Sequence, residues 1–300
     1  MITCCRMLIL AALVWSGTGH AAGQASDGDL NAPGILSANE LAPITGATAL
    51  GASPGFVRLA YPVAIAASGP DVYIADSGLN RIFRYDRASQ TLQSFAGLQA
   101  RQDTRLALGA DLSLYVLEGL NRRIAQYSRN GTLVRIYADD ANLGRPVAFA
   151  VDEVSGKLWV ADGLYNQLVV FNMRGRIAEV VRLPAQTLSI GDMAIGRGII
   201  HVLDTGSAQV LSLSPDGRLV SMTGRDSLKQ PVALAADRQG RLYVSDMGSR
   251  RIHVFTPDGQ THLLPVHINV QGGIAVDEGR LYVADPMQAR VRMILVMGGG

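Results

Sequence analysis

Cysteine is almost missing from this 300-residue chain: its two copies, Cys4 and Cys5, stand side by side near the N-terminus. Once the first residues are shed, the chain has no thiol, so it forms no disulfide and no thiolate metal site. Its stability must come from packing and hydrogen bonds. Long apolar runs are missing too. The best one, Met7 to Trp15, is far short of the roughly 20 residues a helix needs to cross a bilayer core. There is little excess charge: 27 Lys and Arg face 25 Asp and Glu, and loss of Arg6 with the leader removes one more cation. A near-neutral chain argues against a general nucleic-acid or anionic-membrane binder.

What is present begins with a short cationic stretch ending at Arg6, then the apolar block, then small residues around Gly17 to Gly23. That order is a secretory signal peptide, with cleavage after Ala21, Ala22 or Ala25. Neither cysteine follows the apolar block as a lipid-modified one does. The expected organisation is a signal peptide over 1–22, a flexible leader over 23–43 and one domain over 44–300, located in the periplasm or secreted. With 48% apolar residues, the domain can fill a sizeable core.

A strand ending in an acid recurs six times: Val72 to Asp76, Leu114 to Glu118, Leu158 to Asp162, Ile200 to Asp204, Leu242 to Asp246 and Leu281 to Asp285. The acids follow one another at 39 to 44 residues, the length of a four-stranded propeller blade. Each copy holds an apolar strand, a turn, the strand ending in the acid and a third strand such as Arg251 to Phe255. A hairpin then leads to a fourth strand, with Pro257-Asp258-Gly259, Pro215-Asp216-Gly217 or Asn130-Gly131 at its tip, residues that tolerate positive φ. The sixth copy stops after its third strand, Val291 to Leu295. An open edge is a hazard, so the segment Ile44 to Leu50 is expected to supply the missing strand and close the ring. The fold class is therefore all-β, a six-bladed β-propeller closed by an N-terminal strand.

The residues Pro62 to Ile82, Pro146 to Leu168, Pro231 to Ile252 and Gly273 to Val291 run from a proline or glycine and an apolar strand to a Tyr-Val-Ala-Asp-like strand and an Asn-Arg-Ile-like turn. In this they resemble the NHL-repeat family, over roughly residues 45 to 297. Copies two and four depart from the pattern: Leu106 and Met193 stand near strand starts without the proline, and Glu118 replaces the aspartate. The resemblance implies the fold. It leaves function open, since related propellers include protein binders, RNA binders, lactonases and lyases.

Because neighbouring strands in a blade are antiparallel, the turns between second and third strands and the loops between blades emerge on one face, around the channel mouth. Five residues after each acid stands a long donor: Arg81, Arg123, Gln167, Gln209, Arg251 and Arg290. One reading ties each to its own blade; the other makes some of them a donor ring for an acidic or peptide ligand. The repeated acids read as acceptors for backbone N–H groups in the following turn. Arg105, Arg145, Tyr165 and Asp192 are further candidates on this face.

Metal-dependent propeller lactonases resemble this fold and bring oxygen ligands to the starts of the inner strands. Here those starts are Tyr61-Pro62, Thr104-Arg105, Arg145-Pro146, Ile190-Gly191-Asp192, Gln230-Pro231 and Gln271-Gly272, of which only Asp192 has a ligating carboxylate. The mature histidines, His201, His253, His262 and His267, fall on different strands and are expected to pack or face solvent. Gly51-Ala52-Ser53-Pro54-Gly55 has the letters of a serine-hydrolase elbow without its strand and helix, and reads as a loop. No cofactor, no metal and no nucleic acid is expected. The leading expectation is a non-catalytic scaffold for a protein or peptide partner in the cell envelope; the alternative is a hydrolase or lyase using Asp192 with Arg105 and Arg145.

Overall fold

A computed structural model describes residues 36–50, 55–152, 154–269 and 272–297. The expected signal peptide, most of the expected leader and residues 51–54 of the stretch expected to be a loop lie outside the described residues. Within them the chain forms six sheets of at least four strands each, antiparallel but for one added strand in the first blade. The inner strands are Pro62–Ser68, Arg105–Leu108, Pro146–Asp152, Ile190–Gly196, Pro231–Ala236 and Ile274–Asp277. Each contacts the next around a closed ring, and the last meets the first. This is a six-bladed β-propeller, as the acid spacing indicates.

The blades read as near-continuous apolar runs in their second and third strands because both sheet faces are covered by neighbouring blades. Six clusters of buried side chains result, one at each inter-blade interface. Ile65, Ile74 and Phe83 of blade one meet Tyr282, Ala284 and Val291 of blade six in the cluster that seals the ring. An aromatic recurs at one buried position of the second strand: Tyr73, Tyr115, Trp159, Tyr243 and Tyr282. Blade four has His201 there. Its Nδ1 lies 2.9 Å from the Ser212 hydroxyl, and burial pushes its pKa down to about 4, so it packs as a neutral ring. The hairpins before the outer strands have their expected glycines in the left-handed region, with Gly131 at φ 87°, Gly217 at 80° and Gly259 at 85°.

The closing strand is Ser37–Ile44, which pairs antiparallel with Arg290–Met297 of blade six. This corrects the expected segment by seven residues and takes 37–43 out of the leader. The reason is an ion pair: Arg292, buried in blade six, is held by Glu40 through two contacts of 2.7 and 3.0 Å and donates to the His267 carbonyl at 2.6 Å. Without Glu40 that cation would lack a counter-charge. Gly46–Leu50, the segment expected to close the ring, runs on to blade one instead. It pairs in parallel with the outer strand Thr91–Ser94, then turns back as Gly55–Arg58. The N-terminal segment thus straddles the seam between the last blade and the first.

Candidate ligand face

Pro62 pairs with Asp76, Pro146 with Asp162 and Pro231 with Asp246. Each acid therefore lies level with the start of its own inner strand, and the turn after it emerges beside the incoming inter-blade loop. The carboxylates join the two. Asp76 accepts from the backbone N–H of Ala60 (2.7 Å), Tyr61 (3.0 Å) and Leu79 (2.9 Å). Asp162 accepts from Arg145 (2.6 Å), Leu164 (2.9 Å) and Tyr165 (2.8 Å). Asp204 and Asp246 repeat the pattern with Ser189 and Ser207, and with Lys229, Gln230 and Ser249. Among the described residues, Asp285 accepts from the Gln288 N–H and the Arg290 guanidinium, and Glu118 accepts from the side chains of Asn121, Arg123 and Tyr127. Asp76, Asp162, Asp204 and Asp246 are thus staples between turn and loop.

Every one of these turns ends in the left-handed region, at Asn80, Arg122, Asn166, Ala208, Arg250 and Ala289, with φ between 49° and 56°. The strand then resumes at the donor position, and most of those donors face inward to protein. Arg123 pairs with Glu118 at 2.7 Å, Arg290 with Asp285 at 3.2 Å, and Arg251 donates to the Leu264 carbonyl at 3.4 Å. Gln167 and Gln209 are buried, and Gln167 donates to the Asn142 carbonyl at 3.0 Å. These two are corrected as ligand-face candidates: a glutamine is too short to reach past the turn, so it stays in the blade. Arg81 is exposed and has no ion-pair partner among the described residues.

Arg145 is exposed and donates to the Gly163 carbonyl at 3.1 Å, while Tyr165 stands half out of the surface. Arg105 and Asp192 come together instead in the channel. They line a mouth cavity of about 150 Å³ with Tyr61, Gln102 and Pro286. They also line the wider channel of about 420 Å³ beneath it, where the remaining charged groups are Arg238 and Asp277 toward the opposite end. Asp192 is pinned by two backbone N–H groups, Met193 of its own strand and Leu234 of blade five, both at 2.9 Å. Burial raises its pKa, against the Arg105 charge and those two donors. Among the described residues no three His, Cys, Asp or Glu side chains converge as a metal site.

What the sequence reading missed is apolar. Leu120, Leu164, Leu188 and Met287 each leave more than 60% of their surface exposed, all on this face. Three of them occupy one turn position, two residues after the acid. In blades one, four and five that position is Gly78, Gly206 or Gly248, and a Cβ there would press on the adjoining loop at 2.9 Å or closer. Where the loop leaves room, an apolar tip stands out. The signal was available as leucine and methionine in turns that otherwise favour polar residues.

No family model matches the chain. No curated protein matches it. Solved structures do resemble it. A virginiamycin B lyase from Staphylococcus aureus shares 12% identity, with 88% of this chain and 100% of that one covered and a TM-score of 0.62. A gluconolactonase from Xanthomonas campestris shares 17%, covering 89% and 99%, with a TM-score of 0.61. A protein of unknown function from Bacteroides thetaiotaomicron shares 15%, covering 88% and 77%, with a TM-score of 0.70. At such identities the likeness is one of fold.

Proposed function

We propose that this chain is an exported, non-catalytic binding propeller of the NHL-repeat type, which presents its stapled loop face to a protein or peptide partner in the cell envelope. The observation that carries this reading is the set of exposed tips, Leu120, Leu164, Tyr165, Leu188 and Met287, gathered on the face that also displays Arg81, Arg101, Arg145 and Lys229. Apolar and aromatic anchors amid exposed arginines are the composition of a protein-recognition surface. All the face's repeated acids but Glu118 accept backbone N–H groups, and the exposed Arg81, Arg101, Arg145, Arg225 and Lys229 outnumber the exposed Asp103, Asp140 and Asp226 in its loops, which suits a partner segment that is apolar with acidic flanks. The leader, with cleavage near residue 22, supplies the export route.

A photo-crosslinking residue at Leu164 or Leu188 tests the reading in cells that make the full chain. Capture of an envelope protein from those sites, lost with Arg145→Glu and absent from Gln239 on the opposite face, is expected. Equal capture from both faces, or none from the loop face, overturns it. A second reading rests on Asp192, a carboxylate with raised pKa in the wall of a channel large enough for a small molecule. It makes the chain a hydrolase or lyase acting at the channel mouth. Turnover of lactone or cyclic-ester substrates that Asp192→Asn abolishes would favour it.

A further inference from the structure

The chain enters its described fold at the end of the propeller opposite the loop face. Asp285, at the end of the second strand of blade six, lies on the loop face, and Arg290–Met297 runs antiparallel to that strand and so away from the face. Ser37 pairs with Met297 and Ala38 with Val296, which puts the start of the closing strand at the lower end. Leu36, the residue before it, packs with Ala38 against the apolar cluster between blades five and six. The residues that precede Leu36 are therefore delivered to the lower side of that interface.

A cavity of about 570 Å³ lies there, between the turn 237–240 of blade five and Asp277, Glu278 and Gly279 of blade six, with Val296 in its wall. Its acids are already matched: Asp237 by Arg241 at 2.6 Å, Glu278 by Arg280 at 3.8 Å and Asp277 by Arg87 at 3.6 Å. Two arginines are left over. Arg238 in the wall and Arg197, whose side chain lies against Gly240, are exposed and have no ion-pair partner among the described residues. Asp277 has a buried oxygen, Oδ2, that accepts no hydrogen bond among the described residues. Ala236, Val276 and Val296 supply an apolar wall.

We propose that residues 23–35 of this same chain fold back into the cavity, with Asp27 and Asp29 against Arg238 and Arg197 and with Leu30 on the apolar wall. The segment carries those two acids and no Lys or Arg, so its charge complements the two surplus arginines. A backbone N–H of the segment can also serve the Asp277 oxygen. The reach suffices. Blade six is four strands wide and the segment enters at its outer strand, so the inner strand lies about 14 Å away at three strand spacings. The seven residues from Leu36 back to Asp29 extend to about 23 Å. Tethering selects this occupant over a free acidic peptide, because attachment through Leu36 holds the segment at a high effective concentration, at which weak exposed pairs suffice. The contact lies on the face opposite the partner surface and is independent of it.

Disulfide trapping tests the proposal, because the chain has no cysteine after Cys5. In the full chain with Cys4 and Cys5 replaced by serine, Asn31→Cys is combined with Gln239→Cys at the cavity, or with Ala88→Cys on the lower hairpin of blade one, at the other side of blade six. In a glutathione buffer the first pair is expected to close about five-fold faster than the second, the factor that two exposed ion pairs supply. Arg197→Glu with Arg238→Glu should erase the difference, and adding Asp27→Lys with Asp29→Lys should restore it, all at an unchanged melting temperature. Amide exchange over 237–240 should quicken when Asp27→Lys and Asp29→Lys are made alone. Equal closure of the two pairs, a first pair indifferent to the arginine changes, or closure that speeds up with protein concentration overturns the proposal.

Discussion

Replacing Asp162 by alanine should cost far more stability than replacing Glu118, although the two acids occupy the same place in successive blades. Asp162 is fully buried, and its loss strands three backbone N–H groups, those of Arg145, Leu164 and Tyr165, now held at 2.6 to 2.9 Å. A buried donor left without its acceptor costs about 1–3 kcal/mol. Water reaches part of this surface turn, so the three together should amount to about 4 kcal/mol rather than the upper sum. Glu118 accepts only from the side chains of Asn121, Arg123 and Tyr127. Two of these can swing into solvent, and the loss should be about 1 kcal/mol. At roughly 2–4 °C per kcal/mol for a domain of this size, Asp162→Ala should melt about 8–16 °C below the parent and Glu118→Ala only a few degrees below. Differential scanning calorimetry measures both, and amide exchange at Leu164 and Tyr165 locates the damage. Equal losses in the two variants, or a loss below about 1 kcal/mol for Asp162→Ala, would refute the staple argument.

Glu40→Gln removes the counter-charge of buried Arg292 and should lower stability by about 2 kcal/mol at neutral pH. The Arg292 hydrogen bond holds Glu40 below its ordinary pKa of 4.5, so this contribution is present above that value and fades as pH falls through the lowered one; the two proteins should converge in acid denaturation curves. His201, depressed from 6.5 to about 4, binds its proton more readily when unfolded. Stability should therefore fall between pH 6.5 and 4 by on the order of 3 kcal/mol, a slope that His201→Gln flattens, and the imidazole should not titrate by NMR above pH 5. Ala208 sits at φ 51°, where a side chain is strained, so Ala208→Gly should raise stability by about 1 kcal/mol, seen as a higher denaturation midpoint.

Much of the architecture was legible because it rests on local chemistry repeated six times. An acid closing an apolar strand and a Pro-Asp-Gly hairpin each have one structural use, and their spacing counts the blades. The closing strand was misplaced because its evidence is distant: Asn39, Glu40 and Pro43 interrupt the apolar pattern of 37–44, and only Arg292, far away in sequence, explains the glutamate. Gly46 to Leu50, smoother in pattern, had the look of the strand and serves blade one. At the loop face, equivalence in register was read as equivalence in exposure. Of the arginines at the donor position only Arg81 stands exposed; Arg123, Arg251 and Arg290 turn to partners in the protein, and Gln167 and Gln209 are buried in their blades. The apolar tips escaped notice because a leucine in a sequence suggests core, although Leu120 and Leu164 stand two residues after the acid, in the turn where three other blades have glycine.

The seam closed by residues 37–58 also sets an order of events. The strand that completes blade six is made first and must wait for a partner made last, since Glu40 and Arg292 stand 252 residues apart. Blades one to five can stack as they appear, each on its predecessor, but the ring gains its lock only when nearly all the chain is present. A chain cut short before Val291 would leave Ser37–Ile44 unpaired and exposed, so a defect at one end would show itself to a protease at the other.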